Sequence, residues 1–220
     1  MPGRTTLMAG AGLAALAVLG TALYGSGLLP GNTGGALQPC AGATPALARV
    51  DAAAKGEVAG MQALKQARPA PEIRFKGPDG AETGLSDLKG RLLLVNLWAT
   101  WCAPCKAEMP ALDRLQTELG GPDFAVVAIN VDTRNLDKPP EWLKQAGIHA
   151  LPFYADPGGR VLPAIQRDTQ SPGLPTTMLI DAQGCTIGVM KGPAAWSSPD
   201  GLGLIRAVLG REAQGSQSRS

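Results

Sequence analysis

Two cysteines separated by two residues are the side chains in this sequence best suited to covalent chemistry. Cys102 and Cys105 enclose Ala103 and Pro104, and such a C-x-x-C pair can close a disulfide reversibly and exchange it with the thiols of another protein. An apolar run at residues 92–97 predicts a buried strand before the pair, and a helical pattern follows it. Cys102 is therefore expected at a helix N-terminus, where unpaired N–H groups and the helix dipole favour a thiolate. We predict a nucleophilic Cys102 and a resolving Cys105, one helical turn further on.

Metal binding is the main alternative use of two nearby thiols. A structural zinc site needs four ligands, but Cys40 and Cys185 are distant in sequence and no histidine spacing completes a set. The only histidine, His149, is expected to be a surface residue. Two thiolates alone can bind copper(I), so a copper-binding chaperone remains a less favoured function. For the redox function we expect neither a metal nor another cofactor.

Length and composition limit the class of protein. The chain has 220 residues, of which 45% are hydrophobic and 17% are charged, values typical of one globular domain with additions. Its net charge is only +2, and it has no basic cluster with interleaved aromatic residues. The sequence therefore gives no support for a nucleic-acid partner.

The distribution of charge near the N-terminus indicates export. Arg4 is the only charged side chain before Arg49, and residues 7–29 contain no acidic or basic residue. A membrane-spanning helix needs about 20 such residues, whereas a cleaved signal peptide needs a shorter core and a small-x-small site, which residues 20–22 supply. The length favours an uncleaved anchor within residues 1–29. With Arg4 in the cytoplasm, the catalytic domain would lie on the periplasmic side of the cytoplasmic membrane, after a single pass.

Residues 30–43 lack charged side chains and are rich in glycine, a composition that predicts a tether between membrane and domain. Cys40 lies in this tether. A free, exposed thiol would be a liability in an oxidising compartment. We therefore expect Cys40 and Cys185, the two cysteines outside the C-x-x-C pair, to form a structural disulfide.

The remaining segments divide at prolines and glycines. Apolar residues recur at three- and four-residue steps over residues 44–68, which predicts one amphipathic helix that docks on the domain. A core domain is expected over residues 69–210, with a turn at residues 77–80 closing a hairpin. The polar residues 211–220 are expected to form a flexible tail.

The predicted order in the core is strand, C-x-x-C, helix, strand, helix, then Leu174-Pro175-Thr176 before a hairpin and a last helix. Together with residues 98–106, this order resembles the thioredoxin fold, an α/β architecture in which helices flank a mixed central sheet. The resemblance implies that Pro175 is a cis proline beside the disulfide, where it helps to receive an extended partner segment. It also implies that Trp101, Pro104, Leu174 and Thr176 border the substrate site, although Trp101 is as well explained by packing.

Within this fold the sequence is similar to the membrane-anchored, extracytoplasmic TlpA-like branch. The likeness rests on the anchor, on residues 75–90 and on residues 105–110. It implies partners in respiratory-chain assembly, namely the copper-site cysteines of a cytochrome oxidase subunit and of its copper chaperone. The alternative partners are the haem-attachment cysteines of apocytochrome c. A membrane electron donor would have to re-reduce the domain.

Two features near the cysteines bear on proton handling and redox direction. Asn96 stands where cytosolic thioredoxins have a buried aspartate, and Glu108 lies three residues after Cys105 on the same helix face. Glu108 is therefore a candidate proton acceptor for Cys105, the alternative being an ordinary solvated helix residue. Ala103 and Pro104 offer neither a charge nor a donor that would stabilise a thiolate, which favours a reductant over an oxidant.

Overall fold

The computed structural model describes residues 40–211. The predicted anchor, all but the end of the tether, and the tail beyond Arg211 lie outside these residues. No helix in the described part is both long enough and apolar enough to span a bilayer.

One eight-stranded mixed sheet, flanked by helices, organises the described chain, in the order β1-β8-β7-β4-β5-β6-β2-β3. The strands are β1 (Gln62–Pro69), β2 (Arg74–Lys76), β3 (Glu82–Gly84), β4 (Leu92–Trp98), β5 (Phe124–Asn130), β6 (Tyr154–Ala155), β7 (Thr176–Ile180) and β8 (Cys185–Lys191). The helices are α1 (Thr44–Ala53), α2 (Ala103–Leu119), α3 (Lys138–Gln145), α4 (Val161–Thr169) and α5 (Pro199–Val208).

Strand β4 lies at the centre of this sheet and leads to the cysteines. It is buried along its whole length, pairing in parallel with β5 and antiparallel with β7. Such two-sided cover explains why its sequence is an almost unbroken apolar run. The rigid, buried strand therefore fixes the starting point of the segment that carries Cys102.

The prediction of a single helix over residues 44–68 is wrong beyond Ala53. Ala54 leaves helical geometry at ψ 83° and Lys55 is extended at φ −141°, and Gly56 then adopts φ 55°, a left-handed conformation that glycine allows. The following strand β1 pairs antiparallel with β8, so the sheet begins at Gln62 rather than after residue 68. Met61 is buried over Gly188 of β8, so the apolar spacing that suggested a helix reflects packing on the sheet. Strand β1 is an edge of the sheet, a position that tolerates its Lys and Pro residues.

Candidate active site

The Cys102–Cys105 pair lies where β4 passes into α2. Cys102 occupies the N-cap position of α2, and its Sγ accepts a hydrogen bond from the backbone N–H of Cys105 at 3.3 Å. The two residues are joined in a disulfide with a Cα–Cα distance of 5.3 Å. Cys102 retains 6% exposure whereas Cys105 has none. Of the two sulfur-bearing residues, only Cys102 therefore has a surface that another protein can approach.

The loop before β7 lies beside this pair because of the sheet register. Thr176 is opposite Leu97 on antiparallel β4, so the segment preceding Thr176 lies at the carboxyl end of β4, from which the cysteine segment departs. The Leu174–Pro175 peptide bond is cis. Thr176 Oγ1 donates to the carbonyl of Gly173 at 2.6 Å, which fixes the loop locally.

The outer surface around the disulfide is open. Trp101 is 67% exposed, and Ala103 and Pro104 are exposed as well, while Leu174 is half-buried and Pro175 is buried. A large aromatic side chain in solvent next to a cysteine is unusual for a core residue but suits a contact with a partner. The exposure of Trp101 removes the packing interpretation for this residue.

Glu108 lies on the inner face of α2, one turn after Cys105, and is only 4% exposed. Its Oε1 accepts a hydrogen bond from Asn96 Nδ2 at 2.8 Å. Its Oε2 accepts from the backbone N–H of Ala194 at 3.0 Å and from Trp196 Nε1 at 3.1 Å. Burial raises the pKa of Glu108 from its ordinary 4.5 to about 7, because the three hydrogen bonds only partly offset the loss of solvation. The interpretation of Glu108 as a solvated helix residue is therefore wrong.

The surroundings of Glu108 also explain why position 96 carries an amide rather than an aspartate. This side chain donates to Glu108 and to Thr177 Oγ1, the latter at 2.9 Å. An amide can donate to a neighbouring carboxylate, whereas an ionised aspartate at the same place could only repel it. Ala194 and Trp196, from the segment after β8, were not identified from the sequence. Trp196 carried no sequence signal, since nothing in the pattern links it to residue 108.

A second polar cluster holds the segment before the cysteines. Asp132 Oδ2 accepts the backbone N–H of Thr100 at 2.8 Å, and Oδ1 accepts the Thr100 hydroxyl at 3.0 Å. Asn130 Nδ2 donates to the same carboxylate at 2.8 Å. This clamp was not predicted from the sequence, although polar residues that follow two neighbouring parallel strands meet at one edge of the sheet. The clamp fixes the backbone two residues before Cys102.

Cys40 and Cys185 form a second disulfide, with a Cα–Cα distance of 5.7 Å. The bond joins Cys40, which precedes the short 3-10 turn Ala41–Ala43 that leads into α1, to the first residue of β8, across a sequence separation of 145. Cys185 is 4% exposed. This disulfide thus attaches the beginning of the described chain to the sheet. No cluster of three or more potential His, Cys, Asp or Glu metal ligands occurs between residues 40 and 211.

Removal of the second disulfide is expected to lower stability without changing the redox reaction. Closing so long a loop restricts the unfolded chain, so the Cys40→Ser/Cys185→Ser variant should lose roughly 3–5 kcal/mol in free energy of unfolding. Urea denaturation of the oxidised protein measures the loss, and reduction of a small disulfide measures the activity. Equal stability of the two proteins would show that the bond has no structural role.

The comparisons with known proteins agree with this geometry. The Redoxin family model matches residues 65–200. The chain is 33% identical over 122 residues to the thioredoxin-like protein YneN of Bacillus subtilis, which spans 55% of this chain and 68% of that protein. It is 32% identical over 134 residues to the thiol-disulfide oxidoreductase ResA of the same organism, over 61% of this chain and 72% of that protein.

A solved structure shares the fold over most of the described chain. The crystal structure of a thiol:disulfide interchange protein DsbE from Chlorobium tepidum superposes with a TM-score of 0.57 at 28% identity, over 67% of this chain and 99% of that chain. These likenesses support the general TlpA-like branch of the thioredoxin fold. The chain therefore belongs to the Redoxin family and is a thiol-disulfide oxidoreductase.

Proposed function

We propose that this protein is a membrane-tethered, extracytoplasmic reductant of partner-protein cysteines, with the role of TlpA. The observation that carries the proposal is the accessible Cys102 at the N-terminus of α2, paired with a buried Cys105 and beside an exposed Trp101. Ala103 and Pro104 supply no charge to stabilise a thiolate, which favours donation of electrons. The anchor in residues 1–29 would hold the domain on the periplasmic side of the cytoplasmic membrane.

The reaction is a thiol–disulfide exchange in two steps. The Cys102 thiolate attacks one sulfur of a partner disulfide, that disulfide breaks, and a mixed disulfide forms while the other partner sulfur leaves as a thiolate and takes up a proton. The deprotonated Cys105 then attacks the Sγ of Cys102 and releases the second partner sulfur. Two electrons pass to the partner, and the domain is left with the Cys102–Cys105 disulfide, which a membrane dithiol donor must reduce again.

Glu108 is proposed to accept the proton that Cys105 loses in the second step. Its carboxylate lies one helical turn from Cys105 on the buried face of α2. A pKa of about 7 means that Glu108 is close to half ionised at neutral pH, which is the range in which a general base can take up a proton and release it again. The hydrogen bonds from Asn96 and Trp196 hold the carboxylate in place.

The partners proposed from the sequence are a cytochrome oxidase subunit and its copper chaperone, each with copper-site cysteines that must be reduced before they bind metal. Apocytochrome c is the alternative partner. In both cases the substrate presents two cysteines in an exposed segment, and the cis Pro175 loop is proposed to receive that segment in extended form.

Trapping identifies the partner. In a Cys105→Ser variant the second step cannot occur, so mixed disulfides through Cys102 should accumulate in the periplasm and can be identified by mass spectrometry after non-reducing separation. A Cys102→Ser/Cys105→Ser variant is the matched control and should capture nothing. Captured copper-site proteins support the first assignment, and captured apocytochromes support the alternative. A purified protein that holds stoichiometric copper(I) and captures no partner would instead support a copper chaperone.

A further inference from the structure

A pocket next to the active site is not used by the mechanism above. It has a volume of about 500 Å³ and begins at Trp101, the residue before Cys102. Its opposite wall comes from the segment between β5 and α3, including Arg134 and Asn135, and from Lys138, the first residue of α3. A partner segment whose cysteine reacts with Cys102 must therefore pass beside this pocket.

Exposed apolar side chains occur at this pocket and next to it in sequence. Within residues 40–211, the large hydrophobic residues in solvent are Trp101, at 67% exposure, and Leu136, at 49%. Leu136 lies in the same segment as Arg134 and Lys138. Exposed apolar residues close to an active site are typical of a protein-contact surface. The pocket thus combines the apolar side chain of Trp101 with two cationic side chains, and Leu136 adjoins its lining in sequence.

The charges in the pocket favour an acidic ligand. Neither Arg134 nor Lys138 forms an ion pair with another described residue. Asp132 is the acidic residue in the lining, but its two oxygens accept the hydrogen bonds from Thr100 and Asn130 and it is only 5% exposed. The lining therefore holds two cations against one buried carboxylate, whose hydrogen bonds come from uncharged donors. The exposed Asp137, next to Lys138, is not part of the lining, so the pocket keeps an excess of positive charge.

The backbone of this wall is held relative to the cysteines. The Asp132 clamp ties the β5–α3 segment to Thr100, two residues before Cys102. Asn135 adopts φ 50°, and its carbonyl accepts the N–H of Lys138 at 2.9 Å. The backbone that carries Arg134 and Lys138 is therefore held relative to the attacking sulfur, which lowers the entropic cost of recognition there.

We infer that Arg134 and Lys138 select partner segments that carry an Asp or Glu close to the reacting cysteine. This inference rests on the proposed function, because it names a feature of the substrate for the same cysteine pair. The partner disulfide would sit over Cys102, its apolar neighbours would contact Trp101 and Leu136, and its carboxylate would enter the pocket between the two cations.

Two synthetic peptides test the inference. Both contain the same intramolecular Cys-x-x-Cys disulfide, with two Glu residues beside it in one peptide and two Gln residues in the other. Pre-reduced full-length protein is mixed with each peptide, and the second-order rate of reduction is followed by Trp fluorescence. We expect the acidic peptide to react about fivefold faster at low ionic strength, with the advantage decreasing as salt is added.

The variant Arg134→Gln/Lys138→Gln should bring the ratio of the two rates close to one, and Arg134→Glu/Lys138→Glu should reverse it. The control Lys65→Gln/Arg206→Gln removes the same charge from exposed positions outside the pocket and should keep the wild-type ratio. Equal rates for the two peptides with wild-type protein, or an unchanged ratio in the Gln variant, would overturn the inference. Failure to reduce even bis(2-hydroxyethyl) disulfide would contradict the proposed function instead.

Discussion

A Cys102→Ala variant is expected to reduce protein disulfides at least about a thousandfold more slowly than the wild type. Cys105 cannot replace the missing thiol, because it is fully buried behind the helix N-terminus and no partner sulfur can approach it. A Cys105→Ala variant should behave differently. It retains the accessible Cys102 and should form the mixed disulfide at close to the wild-type rate, but should not complete turnover.

Stopped-flow mixing of each reduced variant with a disulfide-containing protein measures the first step, and the yield of reduced partner measures turnover. The Cys40→Ser/Cys185→Ser protein is the matched control, since it also lacks cysteines but keeps the C-x-x-C pair. If Cys102→Ala formed mixed disulfides while Cys105→Ala did not, the assignment of the two thiols would be reversed.

The second large effect is expected at Glu108 and concerns the dependence of stability on pH. The pKa of this carboxyl is about 7 in the folded protein and near 4.5 when it is exposed by unfolding. Between these values the folded state holds a proton that the unfolded state has released. The free energy of unfolding should therefore fall as pH rises from about 4.5 to above 7, by on the order of 3 kcal/mol from this group.

A Glu108→Gln variant should lose this contribution to the pH dependence. The amide of this variant cannot ionise. Because its NH₂ group cannot accept the hydrogen bonds that one carboxylate oxygen accepts in the wild type, some stability should be lost at all pH values. Urea denaturation of the oxidised protein at pH 5 and pH 8 gives the difference directly. Glu118→Gln, on the exposed face of the same helix, should retain the wild-type change. If Glu108→Gln retained it too, the raised pKa would not belong to this group.

The same variant separates a role in proton transfer from a role in folding. If Glu108 receives the proton from Cys105, release of the partner from the mixed disulfide should slow in Glu108→Gln near neutral pH, while attack by Cys102 should not. A purely structural role would leave both rates unchanged once the variant is folded.

The parts of this site that could be predicted from sequence are those in which neighbours in the chain determine the geometry. Cys102 and Cys105 sit at a strand-to-helix junction. The apolar run before them predicts the strand, and the helical periodicity after them predicts the helix. The contacts of Glu108 could not be predicted in the same way, because Ala194 and Trp196 are 86 and 88 residues away in sequence. Only the folded sheet brings them to α2.

The error at residues 62–68, where a helix was predicted and β1 is found, has a related cause. A short apolar pattern fits a helix and a half-buried strand equally well, and pairing with β8 decides between them. That pairing depends on a strand more than a hundred residues later, so local propensity could not reveal it. The clamp made by Asp132 had a sequence signal that was not used, because Thr100 and Asp132 follow the neighbouring parallel strands β4 and β5, whose carboxyl ends meet at one edge of the sheet.

The reduction potential of the Cys102–Cys105 couple decides whether this protein donates electrons to its partners or accepts them. The protein is equilibrated with glutathione or dithiothreitol buffers of known potential, and the fraction of oxidised pair is read from alkylation of free thiols. With no cationic or donor side chain between the cysteines, we expect a potential more negative than about −200 mV, towards the value of about −270 mV found for thioredoxin. A value near −120 mV, as in the oxidant DsbA, would contradict the assignment of this protein as a reductant.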